Sequence, residues 1–169
     1  MNGLMPDFMK KVCEEQQFNM IHSAGRRGYA KLAAAAAEKC GGDLRAKGVD
    51  LREYIYNMPT VMTAADLVMC RSGASTLGEL AALGLPAILV PSPNVTNHHQ
   101  EKNAQVYADQ GAAVLLPEQE CTARRLYDEI KALIADEKRR AGMKAALQKT
   151  VVPDSAEQIC GIIEELAKH

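Results

Sequence analysis

No stretch of this sequence comes near the ~18 consecutive apolar residues that a membrane-spanning helix needs, although 47% of its 169 residues are hydrophobic. That combination excludes a spanning helix and predicts a soluble, globular chain with one sizeable core. Neither sign of charge is in excess, since 20 Lys plus Arg face 21 Asp plus Glu. The balance excludes nucleic-acid binding through bulk charge. Residues 1–19 have no basic start, apolar centre and small-residue cleavage site, so no signal peptide is expected. The cysteines (Cys13, Cys40, Cys70, Cys121 and Cys160) are odd in number and form no C-x-x-C pair. A zinc site or disulfide framework is therefore not expected. The predicted location is a reducing cytoplasm, with the thiols buried or half-buried. Low-complexity linkers and internal repeats are missing too.

What is present alternates between two periods. Met5, Phe8, Met9 and Val12 have helical spacing over residues 5–16, followed by a short strand at 18–22 that stops at Gly25. An Ala-rich helix at 29–40 is halted by Gly41-Gly42, and residues 49–55 alternate as a strand. A short helix at 59–65 starts on Pro59. The sequence then predicts strands at 67–70, 87–90 and 113–116, with helices at 73–83, 98–110 and 122–135. Two helical segments, 137–149 and 154–167, close the chain with Pro153 between them. Short strands separated by single helices imply βαβ units and a parallel sheet covered on both faces. The run Leu67-Val68-Met69-Cys70 is apolar throughout, as a central parallel strand requires. The expectation is a doubly wound, Rossmann-like α/β domain. Such a domain ordinarily begins with a strand, whereas this sequence begins at a helix, so the first strand is expected to be lacking.

In an open α/β sheet, ligands bind beyond the carboxyl ends of the strands. The loop Arg71-Ser72-Gly73-Ala74-Ser75-Thr76 follows a strand there and opens a helix. Free N–H groups and the positive end of the helix dipole suit a phosphate or diphosphate. Gly73 and Ala74 permit close approach, Ser75 and Thr76 add hydroxyls, and Glu79 could accept from a vicinal diol such as a ribose. The competing reading is local: Ser72 or Ser75 caps the helix and Glu79 closes a capping box. The loop has neither the G-K-[ST] of a P-loop nor G-x-G-x-x-G, which argues against ATP hydrolysis and NAD.

A second constellation, "PSPNVTNHHQEKNAQVYADQGAA" at residues 91–113, places His99 and Gln100 at the start of the next helix, with Thr96 or Asn97 as its expected cap. Neighbouring βα loops open on one edge of the sheet, so these amide and imidazole groups should face the first loop, where they suit sugar hydroxyls. Adjacent His98 and His99 diverge around a helix and make a poor metal pair. Asn103 and Tyr107 fit helix packing. His22, near a strand end, fits packing or a structural hydrogen bond better than a general base.

Together "ADLVMCRSGASTLGELAALGLPAILVPSP" and "NHHQEKNAQVYADQGAAVLL" resemble the C-terminal, donor-binding half of the MurG family of cell-wall N-acetylglucosaminyltransferases, two-domain enzymes of the GT-B fold in glycosyltransferase family 28. "MPDFMKK", "IHSAG" and "VDLREYIYNM" fall in the same order. The resemblance implies UDP-N-acetylglucosamine as donor, lipid I as acceptor, lipid II as product, and no metal or cofactor. Matching positions would place the backbone of Ile55 at the uracil edge. Arg71, Ser72 and Gly73 would shape the turn, and Ala74, Ser75 and Thr76 would line the nucleotide and diphosphate. Glu79 would bind the ribose, and His99 with Gln100 the sugar hydroxyls. No catalytic residue is assigned. The family's glycine-rich G-G-S loop has no counterpart here, nor has its N-terminal acceptor domain, through which the acceptor and the membrane would be met. Residues 1–169 are thus expected to be a single UDP-sugar donor-binding domain with closing helices at about 137–167. The intact enzyme would be cytoplasmic and peripheral on the cytoplasmic face of the bacterial membrane, with no nucleic-acid partner. Two other readings stay open: a free-standing donor-binding subunit of a two-subunit transferase, and half of a UDP-sugar epimerase.

Overall fold

The computed structural model describes residues 3–151 and 154–167. Five parallel strands alternate with helices along the chain: α1 (Met5–Glu15), β1 (Met20–Ser23), α2 (Tyr29–Cys40), β2 (Val49–Arg52), α3 (Met58–Thr63), β3 (Val68–Cys70), α4 (Ala74–Leu83), β4 (Ala87–Leu89), α5 (His99–Asp109), β5 (Ala113–Leu115), α6 (Ala123–Ala135), α7 (Glu137–Gln148) and α8 (Ser155–Leu166). Each predicted helix and strand has its counterpart. Pro153 lies outside the described residues.

The helices follow from their spacing and their stops. In α1 the buried residues are Met5, Phe8, Met9, Val12 and Cys13, one stripe of a 3.6-residue period. The helix ends where Gln16 turns left-handed and its N–H returns to the Val12 carbonyl. α4 buries Leu77, Leu80 and Ala81 and ends at Gly84, whose φ of 59° suits glycine. A Cβ there would also come within 3.0 Å of Lys144 Cγ, so the turn and its fit against α7 both call for glycine.

β4 runs between β3 and β5 and is wholly buried. Its residues divide by parity, as a pleated strand covered on both faces must. Ile88, with Val90 just beyond the strand, joins Met9 and Val12 of α1 and Leu126 and Leu133 of α6 in one core. Ala87 and Leu89 join Leu77 and Leu80 of α4 and Ala104 of α5 in the other. Burying each such Leu or Ile contributes about 1.5–3 kcal/mol, so the two layers clamp the sheet around β4. Here the domain is doubly wound, as the sequence implies.

Two details depart from the sequence reading. First, the strand expected over residues 49–55 ends at Arg52, and Ile55 lies beyond it in a loop. The last ladder-like bonds run from the N–H groups of Ala24 and Gly25 to Arg52 and Glu53. At Gly25 the neighbouring chain turns away with φ 73° and the partner edge is lost. Ile55 is still buried, between exposed Tyr54 and Tyr56, whose rings meet edge to face at 5.0 Å. Second, the sheet is split: β1 pairs with β2, and β3-β4-β5 form a separate ladder. β3, expected as a central strand, therefore forms an edge and is only half-buried.

Candidate functional site at the carboxyl edge of the sheet

Because β3, β4 and β5 are parallel, their carboxyl ends share one edge, and the loops leaving them meet there. The β3–α4 loop enters its helix through Gly73, an extended N-cap (φ −70°, ψ 146°) with no side-chain cap. The capping box considered for Ser72, Ser75 and Glu79 does not form. The first main-chain bond of the helix runs from the Leu77 N–H to the Gly73 carbonyl at 3.0 Å. The N–H groups of Ala74, Ser75 and Thr76 precede it and are left over, as at any helix start. Ala74, Ser75 and Glu79 are exposed, and Gly73 and Thr76 half-buried.

Ser72 is the one fully buried polar residue among those described. Its hydroxyl donates to the Gln100 carbonyl at 2.7 Å, and its own carbonyl accepts from Asn103 Nδ2 at 3.3 Å. Gln100 in turn accepts the Ser92 N–H on Oε1 at 2.9 Å. Three groups of the site are thus latches between neighbouring loops. The Ser72 hydroxyl is already committed within the protein. Asn103, read as a packing residue, belongs to this network.

Arg71 lies one residue past β3. Its Nη1 donates to the carbonyls of Val90 (3.0 Å) and Pro91 (2.9 Å) and to Glu118 Oε2 (2.9 Å), while Nη2 donates to Glu118 Oε1 at 2.9 Å. This bidentate hydrogen bond from Arg71 holds the Glu118 carboxyl down at about 2. Sequence reasoning missed Glu118. The one available signal was an acid just past a predicted strand end, level with a basic residue past the strand two places along the sheet.

α5 opens differently from the expectation. Neither Thr96 nor Asn97 caps it; the N-cap is His98, without a side-chain cap bond. Asn97 and His98 are both left-handed, with φ 55° and 50°. Such backbone is uncommon outside glycine, although Asn and His adopt it more readily than most residues. His99 is exposed, with Nδ1 2.9 Å from the Thr96 carbonyl. His98 faces Glu101 at 3.3 Å. Ile55 lies past the end of β2, which belongs to the other ladder, and no described hydrogen bond joins it to the other candidates. At β1, burial pushes the His22 imidazole below its ordinary value, and its Nε2 has no hydrogen-bond partner among the described residues. The structural hydrogen bond considered for it is therefore not formed at that atom.

Burial, reinforced by the Glu79 carboxylate, raises the Cys70 thiol to about 12, so it is no nucleophile at neutral pH. Cys13, Cys40 and Cys121 are buried, Cys70 is half-buried and Cys160 is exposed. No group of three or more His, Cys, Asp or Glu among the described residues could hold a metal ion. No helix among them is long and apolar enough to cross a membrane.

Comparison with known proteins places this geometry. Residues 1–159 match the glycosyltransferase family 28 C-terminal domain. A UDP-N-acetylglucosamine–N-acetylmuramyl-(pentapeptide) pyrophosphoryl-undecaprenol N-acetylglucosamine transferase of Bacillus cytotoxicus is 39% identical over 153 residues, which is 90% of this chain and 41% of the relative. The enzyme of the same name from Halalkalibacterium halodurans is 44% identical over 122 residues, 72% of this chain and 34% of its own length. The chain therefore spans about two-fifths or less of these relatives. Among solved structures, Acinetobacter baumannii MurG superposes on 97% of this chain and 45% of its own with a TM-score of 0.79 at 25% identity. The glycosyltransferase VinC, at 21% identity and a TM-score of 0.61, shares the fold. The uncapped helix start, the parallel α/β architecture and the match over residues 1–159 make this chain a member of glycosyltransferase family 28, carrying that family's C-terminal domain in a GT-B-type Rossmann-like fold.

Proposed function

We propose that this chain is the donor-binding part of an inverting N-acetylglucosaminyltransferase that takes UDP-N-acetylglucosamine as its donor. The observation that carries the reading is the start of α4: three N–H groups, uncapped by any side chain, at the carboxyl edge of the sheet and tied through Ser72 to Gln100. A diphosphate placed there meets the N–H groups of Ala74, Ser75 and Thr76 and the positive end of the helix dipole. Glu79, one turn along, takes the ribose hydroxyls, and the backbone at Ile55 takes the uracil edge. His99 and Gln100 take the sugar hydroxyls. With Oε1 engaged by Ser92, Gln100 presents Nε2 as its donor.

In the intact transferase, the 4-hydroxyl of the muramoyl sugar of lipid I attacks the anomeric carbon. The new O4–C1 bond forms as the C1–O bond to UDP breaks, with inversion. The attacking hydroxyl's proton passes to a base outside this chain. The part played here is electrostatic: the α4 N–H groups stabilise charge growing on the departing diphosphate without reorganising. Acceptor and membrane are met by another domain, at the cytoplasmic face of the membrane.

Titrating the chain with UDP-N-acetylglucosamine, UDP and ADP, followed by amide chemical shifts, tests the donor site. Shifts at residues 74–79 and at His99 and Gln100, with UDP preferred over ADP, are expected. A folded sample that is silent at those positions, or that prefers ADP, would overturn the reading.

A further inference from the structure

Arg71 is the cation nearest in sequence to the α4 loop and the obvious candidate to meet a diphosphate there. Its guanidinium is nonetheless occupied. Nη1 reaches the carbonyls of Val90 and Pro91 at the end of β4, and Nη1 and Nη2 together hold both oxygens of Glu118 beyond β5. One planar group therefore joins the carboxyl ends of three strands. A bidentate carboxylate fixes the orientation of a guanidinium as well as its charge. The side chains of the pair are 32% and 26% exposed, so the link is formed with much of its surface removed from water. Directly above it in the chain, Ser72 and Gln100 latch the β3–α4 and β4–α5 loops to one another.

We propose that Glu118 is a positioning residue for the donor site: it holds Arg71 as a strut beneath the β3–α4 and β4–α5 loops and withholds that guanidinium from the diphosphate. The charge of the diphosphate then falls to the N–H groups at the start of α4. The part of the inference that concerns ligand rests on the donor-site reading above; the part that concerns loop geometry does not.

The two roles open to Arg71 give opposite signs in one set of variants. Glu118→Gln keeps the shape of the side chain and removes its charge. For a strut, this loosens the loops, and UDP and uridine both bind more weakly by the same factor, roughly 3–10-fold, the scale of one ordinary hydrogen bond. Arg71→Met gives the same shared loss, the double variant is no worse than either single, and Glu118→Asp recovers part of the affinity. For a phosphate-binding cation, Glu118→Gln would instead tighten UDP, because a repelling carboxylate is gone and the guanidinium released. Arg71→Met would then weaken UDP while sparing uridine, and either result overturns the proposal. Amide hydrogen exchange on the unliganded protein supplies the second readout. Protection of the amides of Val90 and Ser92 is expected to fall in Glu118→Gln while Ile88 is unchanged. Unaltered exchange at those amides overturns the strut even if no variant, nor the wild type, binds UDP; that last result would sink the donor-site reading alone.

Discussion

Ser72 shows how one hydroxyl can tie two neighbouring loops of an α/β sheet to each other. Its hydroxyl is fully buried and spends its one proton on the Gln100 carbonyl 28 residues away. Ser72→Ala removes that bond, while the Gln100 carbonyl keeps its helical bond within α5, at a cost of about 0.5–1.5 kcal/mol. Thermal unfolding followed by circular dichroism should show the midpoint falling by roughly 2–4 °C per kcal/mol for a chain of this size. An unchanged midpoint would mean that water replaces the hydroxyl and the latch is weak. The sequence marked the polar loop that holds Ser72 as a candidate site, but the latch was not legible there. A hydroxyl can be satisfied by any carbonyl, and carbonyls leave no mark on composition or spacing. Glu118 was hidden for a related reason, since its partner Arg71 comes within reach only once β3, β4 and β5 are known to lie side by side.

At the scale of elements, α6 and α7 meet at Asp136. That residue ends α6, with its N–H returned to the Ala132 carbonyl at 3.1 Å. It also caps α7, with its carboxylate accepting the Arg139 N–H at 2.8 Å. With no loop between the helices, one residue ends the first and caps the second, and α7 packs on both α4 and α6. Asp136→Ala is expected to cost about 1 kcal/mol, the usual worth of such a cap. It should lower the midpoint of urea unfolding without changing the slope, because the buried surface is nearly the same. Asp136→Asn, which retains an accepting oxygen, should restore most of the loss; failure to do so would assign the effect to charge and not to the cap. Elements of this kind were the most legible feature of the sequence, because the stripe of apolar residues and the stop residues at Gly41 and Gly84 are local. The strand at β2 was read too long, since its end is set by its neighbour turning at Gly25 and not by its own residues.

For the molecule as a whole, the decisive feature is the break in the sheet, a seam at which β1-β2 and β3-β4-β5 share no hydrogen-bonded pair. A parallel strand directs alternate N–H groups to opposite sides. In β3 the Val68 N–H goes to the Pro86 carbonyl and the Cys70 carbonyl accepts from Val90, both toward β4, so the Met69 N–H points to the unpaired side of β3. In β1 the N–H groups of Met20 and Ala24 go to Gly48 and Arg52, so that of Ile21 points to the unpaired side of β1. Ile21 is also 44% exposed, high for an apolar residue in a strand flanked by helices. Amide exchange should therefore divide the domain. Ile88, in the strand paired on both sides, is expected to exchange at least about a hundredfold more slowly than Ile21 and Met69, because its amide is freed only by larger openings of the structure. Slow exchange at both seam amides in dilute solution would mean that β1 and β3 pair with each other or with another chain, which open edges invite. Dilution separates these cases, as protection borrowed from a second molecule falls with concentration and protection within one molecule does not. The seam also explains why an all-apolar strand is only half-buried. The composition of β3 suits a central position, whereas whether a strand is central depends on how many neighbours the fold provides, which is a property of the assembled sheet and not of the segment.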